Sequence, residues 1–438
     1  MINEIESHAV KVYPSERQAK FMENPFYAFV HFSPNTYTGK EWGDGREDPA
    51  VFNPTELDCD QWVKAIKSAG MTGMVLTAKH HDGFCLWPSR YTEHSVKHSP
   101  WKNGKGDVVR EAAEACRRGG IRFGFYLSPW DRNNPAYGSS KYNEYYKNQL
   151  TELLTEYGDI FYVWFDGACG EGPNGRKQEY DYEGYIELIR KYQPNACIFN
   201  DAGPDIRWIG NECGTARNEE WSVVPHELCH LATIQQMIAP KGSLLGINNM
   251  WKDLGSISIL KYSAGLSFCP AEIDMSIRPG WFYHQNEDPH SVERLLQTYI
   301  TSVGGNACFN LNIPPMPNGK FNERDINRLK ELGDAIYNIF RTEIAIEIRY
   351  IKLNDTQSEY EIILPGVTEY SCVELSENMT MGQRVERFQL LADNSIIFDG
   401  TTIGFRRLCL LGKHMGSEIK LRIVAARDQA DIHIRLFE

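Results

Sequence analysis

Over the first three-quarters of the chain, short apolar runs alternate with longer stretches in which apolar residues recur every three or four positions. Parallel strands joined by crossover helices leave this pattern, because such strands are buried on both faces and the helices on one. The apolar runs predict eight strands, at residues 27–32, 73–80, 122–128, 160–166, 196–201, 219–224, 265–269 and 307–313. The helical period predicts helices over 59–69, 108–118, 141–157, 182–192 and 290–302, with 323–340 closing the region. Their ends are punctuated accordingly: Asp107 as a cap, Gly70, Gly119 and Gly158 behind, and Pro194 or the Gly304-Gly305 pair as stops. A barrel or a doubly wound sheet fits such a run. Eight strands at intervals of about 35 to 50 residues favour a (β/α)8-type barrel. The interval around Glu219 is shorter and shows no helix, so the barrel is expected to be irregular. Past Arg341 the pattern changes to strict alternation, at 344–353, 360–364, 395–398 and 418–424. The prediction is therefore a catalytic (β/α)8-like barrel over 1–341 and an antiparallel β-sandwich over 342–438.

Composition narrows the function classes. The chain has 438 residues, 42% hydrophobic and 24% charged, which is ordinary for two packed cores. Its net charge of −12 is spread along the chain, with no basic stripe to neutralise a phosphate backbone, so no nucleic-acid partner is expected. The 11 cysteines include no CxxC pair or short-spaced framework, which argues against a zinc cage or a disulfide scaffold. No apolar run reaches the ~18 residues of a membrane span, and residues 1–20 are polar without a cationic segment leading into an apolar one. No membrane partner is expected. A cytoplasmic location is the expectation, the alternative being a secreted or periplasmic protein whose signal has been removed.

In a parallel barrel the active site forms at the carboxyl ends of the strands, so the residues there carry the functional reading. The first strand ends Val30-His31-Phe32, the second Lys79-His80-His81-Asp82-Gly83, the third Tyr126-Leu127-Ser128 and the fourth Trp164-Phe165-Asp166-Gly167. Asp166 is the sharpest signal: a carboxylate directly after a strongly apolar strand is rigidly presented and partly desolvated, as a nucleophile requires. Taken alone, Asp166-Gly167 would read as a strand-ending turn; the other strand ends tip the balance. His80 and His81 are adjacent, hence on opposite faces of a strand, whereas strand-borne metal ligands sit two apart, so no metal is expected. Neutral histidines both donate and accept hydrogen bonds, which suits sugar hydroxyls. Trp42, Trp87, Trp130, Tyr126, Trp164, Trp221 and Trp281 supply aromatic planes for the apolar faces of a sugar ring. No glycine-rich phosphate loop is present, and no cofactor is expected. Glycoside hydrolysis needs a second, protonated carboxyl group. Glu171, Glu179, Glu212, Glu219 and Glu272 are candidates, with Glu212, in a glycine- and tryptophan-bearing loop after the fifth strand, slightly ahead.

These residues resemble those of glycoside hydrolase family 29, the α-L-fucosidases, over essentially the whole chain. The resemblance rests on His31-Phe32, Glu41-Trp42-Gly43, Lys79-His80-His81-Asp82-Gly83-Phe84, Gly124-Phe125-Tyr126 and Trp164-Phe165-Asp166-Gly167. It continues through 205–212, Pro270-Ala271-Glu272-Ile273-Asp274, Arg278-Pro279-Gly280-Trp281 and Phe309-Asn310-Leu311-Asn312-Ile313. It implies Asp166 as the nucleophile of a retaining double displacement, and fucose contacts from His31, Glu41, Trp42, His80, His81 and Tyr126, with Trp164 and Trp281 completing the substrate-binding set. The Gly210-Asn211-Glu212 stretch is similar to the branch acting on α-1,3 and α-1,4 linkages of branched glycans, where the glutamate is the acid/base. The expected partners are accordingly fucosylated oligosaccharides or glycoconjugates. Glu374-Leu375-Ser376-Glu377 and Gly382-Gln383-Arg384-Val385 resemble the family's companion β-sandwich, expected as a packing partner of the barrel rather than a lectin. Two rival readings are a carbohydrate-binding protein without catalysis and a metal-dependent amidohydrolase using His31, His80 and His81. Turnover of an aryl fucoside and survival of activity after chelation separate them from a fucosidase.

Overall fold

The computed structural model describes residues 4–200, 203–229 and 253–438. Six parallel strands come first: β1 Phe26–Val30, β2 Gly73–Lys79, β3 Arg122–Leu127, β4 Tyr162–Trp164, β5 Cys197–Asn200 and β6 Ile206–Trp208. Next, β7 Val223–Pro225 and β8 Leu266–Phe268 pair antiparallel with each other, outside the barrel. The parallel set resumes with β9 Ala271–Ser276 and β10 Cys308–Asn312, and the barrel closes in the order β1-β10-β9-β6-β5-β4-β3-β2. The expected eight-stranded barrel is present, but its sixth and seventh strands are not the predicted ones. Segments 219–224 and 265–269 supply the small ribbon, and β6 and β9 take their places. The irregularity falls, as expected, between the fifth and sixth strands: β6 follows β5 after a short connection and pairs with it through Phe199↔Ile206 and Asn200↔Arg207. Residue 201, the end of the predicted fifth strand, lies outside the described residues.

Polar residues conceal β6 and β9 in the sequence. Arg207 is buried on β6, where its guanidinium meets Glu220 and donates to the carbonyls of Cys269 and Trp221, both at 3.1 Å. Glu272 is buried on β9 among four donors: the Tyr27 and Tyr162 hydroxyls, the Trp164 indole and the Asn310 amide. Unpaired, either charge would cost several kcal/mol in a barrel interior. Their partners come from elsewhere in the chain, so the local pattern reads as loop.

The helices lie near their predicted bounds: Cys59–Ser68, Val108–Gly119, Ser140–Glu156, Tyr182–Tyr192, Val292–Ser302 and Glu323–Ile339. Asp58, Asp107, Asp181, Ser291 and Asn322 cap five of them by accepting a backbone N–H with their side chains. Inside the barrel, Tyr27, Phe29, Tyr126, Tyr162, Trp164 and Phe199 form an aromatic core.

The last helix ends at Ile339, and the antiparallel sheet starts with β11 Glu343–Ile344 and β12 Glu347–Lys352. It continues through β13 Ser358–Glu377, β14 Val385–Ala392, β15 Ser395–Gly400, β16 Arg407–Ala426 and β17 Ile432–Phe437. β13 and β16 are each 20 residues long, pair along most of their length, and break register between Ile363 and Thr368, so the seven-stranded sheet folds over its own core. The Gly382-Gln383-Arg384-Val385 motif contributes to the joint: the Gln383 side chain accepts from the Ser222 N–H at 2.7 Å and donates to the Glu220 carbonyl at 3.1 Å.

Candidate active site

The polar ends of β1 to β4 meet at the carboxyl end of the barrel. Asp166 lies two residues past β4, with its side chain 21% exposed. Its Oδ1 accepts the Ala168 N–H at 2.7 Å, and its Oδ2 accepts the Tyr126 hydroxyl at 3.0 Å. The turn and the nucleophile readings are therefore compatible: one oxygen closes the turn and the other faces the site. Burial raises the carboxyl to about 6, against the opposing pull of those two hydrogen bonds.

The three histidines are neutral, because burial lowers His31 and His81 to about 3 and His80 well below its usual value. Neighbouring groups determine two of the tautomers. The Asn312 amide donates to Ser276 Oγ at 2.9 Å and to the Trp281 carbonyl at 2.8 Å, so its oxygen faces His31 and accepts Nδ1–H at 2.9 Å. Ser128 donates its hydroxyl to the Trp130 carbonyl at 2.7 Å, and so accepts from His81 Nδ1 at 2.8 Å. Both Nε2 atoms are then acceptors, that of His81 lying 3.6 Å from Asp166 Oδ2. His80, 5% exposed, packs nearly parallel to Tyr126. Among the described residues no group of three or more His, Cys, Asp or Glu could hold a metal ion.

Trp42, 53% exposed, stands edge-on to His81 and Trp130 at the mouth. The loop carrying Trp130 is pinned by a buried ion pair, Lys79 Nζ to Asp131 Oδ2 at 3.1 Å, while Asp131 Oδ1 accepts from the N–H groups of Asn133 and Asn134. Trp164 lies inside the barrel, stacked on Phe199 with its indole on Glu272.

Glu212 is exposed on the loop after β6, one strand later than its predicted setting. Buried Asn211 organises that loop by accepting the N–H groups of Cys213 and Thr215 and donating to the Thr215 carbonyl. The Glu212 carboxyl is raised by partial desolvation and by the negative charges of Asp166 and Glu41, and lowered by the Trp281 indole, which donates to Oε2 at 3.2 Å. Of the other candidates, Glu272 is spent on the barrel core, and Glu171, Glu179 and Glu219 are exposed. Glu41 accepts from the Trp281 N–H at 2.8 Å and from His284 Nε2 at 2.6 Å, holding the loop after β9. Sequence reasoning missed Asn312, Ser128 and His284. Asn312 and Ser128 at least stood at predicted strand ends; nothing local marked His284. A cavity of about 780 Å³ opens at the opposite, amino end of the strands, lined by Arg122, Phe161 and Gln193 among others, and holds none of these groups.

The site thus combines one half-buried and one exposed carboxyl, both raised, with neutral hydrogen-bonding histidines and the exposed ring of Trp42. Comparison with known proteins agrees with that chemistry. Residues 5–337 match the profile of the α-L-fucosidase family. The chain is 38% identical over 430 residues to α-L-fucosidase 1 of Arabidopsis thaliana, covering 90% of this chain and 81% of that one. It superimposes on a glycoside hydrolase 29 family member from an unknown rumen bacterium with a TM-score of 0.83 and 38% identity, over 97% of this chain and 77% of that one. A Ruminococcus gnavus GH29 fucosidase in complex with fucose gives 0.82 and 27% identity, over 98% and 95%.

Proposed function

Because the chain belongs to the α-L-fucosidase family, glycoside hydrolase family 29, we propose that it hydrolyses fucosides with retention, through a fucosyl-enzyme formed on Asp166 with Glu212 as acid/base. The observation that carries this reading is the pair itself: Asp166 held behind β4 by Tyr126 and Ala168, and Glu212 held by the Trp281 indole, whose ring packs on His31, with the Asp166 charge among the causes that raise the Glu212 carboxyl. In the first step Asp166 attacks the anomeric carbon while Glu212 protonates the departing oxygen. In the second, Glu212 takes a proton from the water that displaces Asp166. Each step inverts the carbon, so the product keeps the α configuration. Tyr126 O–H and Ala168 N–H stabilise the carboxylate when it leaves. The acceptor Nε2 atoms of His31 and His81 suit hydroxyl groups that donate to them.

The proposed substrates are α-1,3- and α-1,4-linked terminal fucosyl groups of branched glycans, a preference supported by the Gly210-Asn211-Glu212 stretch and its Asn211-braced loop. NMR of the first-formed sugar tests the stereochemistry: α-L-fucose is expected, and β-L-fucose before mutarotation would mean inversion. Azide tests the roles. With an aryl fucoside, Glu212→Ala should be accelerated by azide and give α-fucosyl azide, whereas Asp166→Gly should give the β anomer. Rescue of Glu171→Ala or Glu219→Ala in place of Glu212→Ala would move the acid/base assignment. Specificity constants for α-1,2 or α-1,6 fucosides equal to those for branched α-1,3/1,4 substrates would overturn the linkage preference.

A further inference from the structure

We infer that Trp281 and His284 are positioning residues for the acid/base: His284 holds Glu41, Glu41 holds the backbone of Trp281, and the Trp281 indole holds Glu212. This rests on the reading of Glu212 as acid/base. Glu212 is exposed on its loop, with the Trp281 Nε1–H as a hydrogen-bond donor to Oε2 at 3.2 Å. The carbonyl oxygen of a neutral carboxyl is its better acceptor, so the indole keeps the proton of the acid form on Oε1, free for a leaving group. The indole must itself be fixed, and it is. Its ring packs 5.1 Å from His31, and the Trp281 backbone is held on both sides: its amide N–H donates to Glu41 Oε2 at 2.8 Å and its carbonyl accepts from the Asn312 amide at 2.8 Å. Glu41 has a partly exposed side chain and is anchored in turn by His284 Nε2, 2.6 Å from Oε1. Gly280 leaves room for that contact: a Cβ there would lie 2.8 Å from Glu41 Oε1 and 2.8 Å from His284 Cδ2. The glycine of the Arg278-Pro279-Gly280-Trp281 motif thus has a packing reason. The titratable groups that act on Glu212 are Asp166 and Glu41, and Asp274 is itself raised by Glu212; His284 acts on it through Glu41.

The test compares Trp281→Phe, His284→Leu and His284→Gln in the full chain, using an aryl fucoside with a good leaving group and a glycan with a poor one. General acid catalysis matters for the poor leaving group, so Trp281→Phe should lose about tenfold or more in kcat/KM there. On the aryl substrate the loss should be much smaller. The alkaline limb of the glycan pH profile should move upward, since the lost donor had lowered the Glu212 carboxyl. His284→Leu should shift both readouts the same way but less, and His284→Gln, which can still donate to Glu41, should restore them. Equal losses on both substrates, or an unmoved limb, would reduce Trp281 to a wall of the sugar pocket and overturn the inference. If instead azide fails to rescue Glu212→Ala, the acid/base reading itself is wrong.

Discussion

Replacing Tyr126 by Phe removes one hydroxyl from Asp166 and little else. The Tyr126 ring is buried against Trp164 and His80 and is retained, and Asp166 keeps its 2.7 Å hydrogen bond from the Ala168 N–H. The lost bond, 3.0 Å long, favours the ionised carboxylate, so its removal raises the Asp166 carboxyl further above about 6. A hydrogen bond to a charged group contributes roughly 1.5–3 kcal/mol, and 1.36 kcal/mol corresponds to one pH unit. The acid limb of kcat/KM should therefore move up by about one to two units. At pH 7 the ionised fraction would fall from about nine-tenths to between about one-half and one-tenth. The expected loss is thus about two- to tenfold at pH 7, most of it recovered above roughly pH 9. The assay is a pH profile of kcat/KM on an aryl fucoside, which needs little help from Glu212. A loss of equal size at every pH would show that Tyr126 acts on the substrate rather than on the ionisation of Asp166, and would refute this reasoning.

Asp166 should also lower stability at neutral pH. Its carboxyl is raised in the fold to about 6, so the stability it contributes is present below its unfolded value and is lost as pH rises through 6. A gap of about two pH units corresponds to roughly 3 kcal/mol, so Asp166→Asn should exceed the parent in stability by up to that amount at pH 8 and match it near pH 4. Equal stabilities of the two proteins across this range, measured by urea denaturation, would contradict this expectation. Lys79→Met strands the buried Asp131 carboxylate and should cost about 3–5 kcal/mol in urea denaturation; a loss below about 1 kcal/mol would mean that water reaches the pair. Exhaustive chelation should leave kcat/KM unchanged, and a loss restored by added divalent metal would revive a metal role for His31, His80 and His81.

The helices and most of the barrel strands could be read from local pattern, because burial on one helix face or on both strand faces writes a period into neighbouring residues. The same was true of Asp166, His31, His80, His81 and Tyr126, since a strand end is a local feature and the barrel topology makes it a shared one. β6 and β9 escaped because their burial is compensated at a distance: Arg207 reads as a loop residue until Glu220 and the carbonyls of Cys269 and Trp221 surround it, and Glu272 until Tyr27, Tyr162, Trp164 and Asn310 do. The mistaken strands, 219–224 and 265–269, were apolar enough to qualify and were excluded only by where their edges found partners. In the C-terminal sheet, alternation revealed strands but not that two of them run for 20 residues through a bend. The choice among the glutamates was likewise a matter of three-dimensional placement. Glu171, Glu212, Glu219 and Glu272 have the same intrinsic acidity, and what separates them is which donors and charges the folded chain sets beside each one. Residue types and their spacing were enough to specify the barrel and to set Asp166, His31, His80, His81 and Tyr126 at its strand ends; the tautomers of His31 and His81, the clamp on Trp281 and the surroundings of Glu212 arise from contacts between residues far apart in the chain, which no local period records.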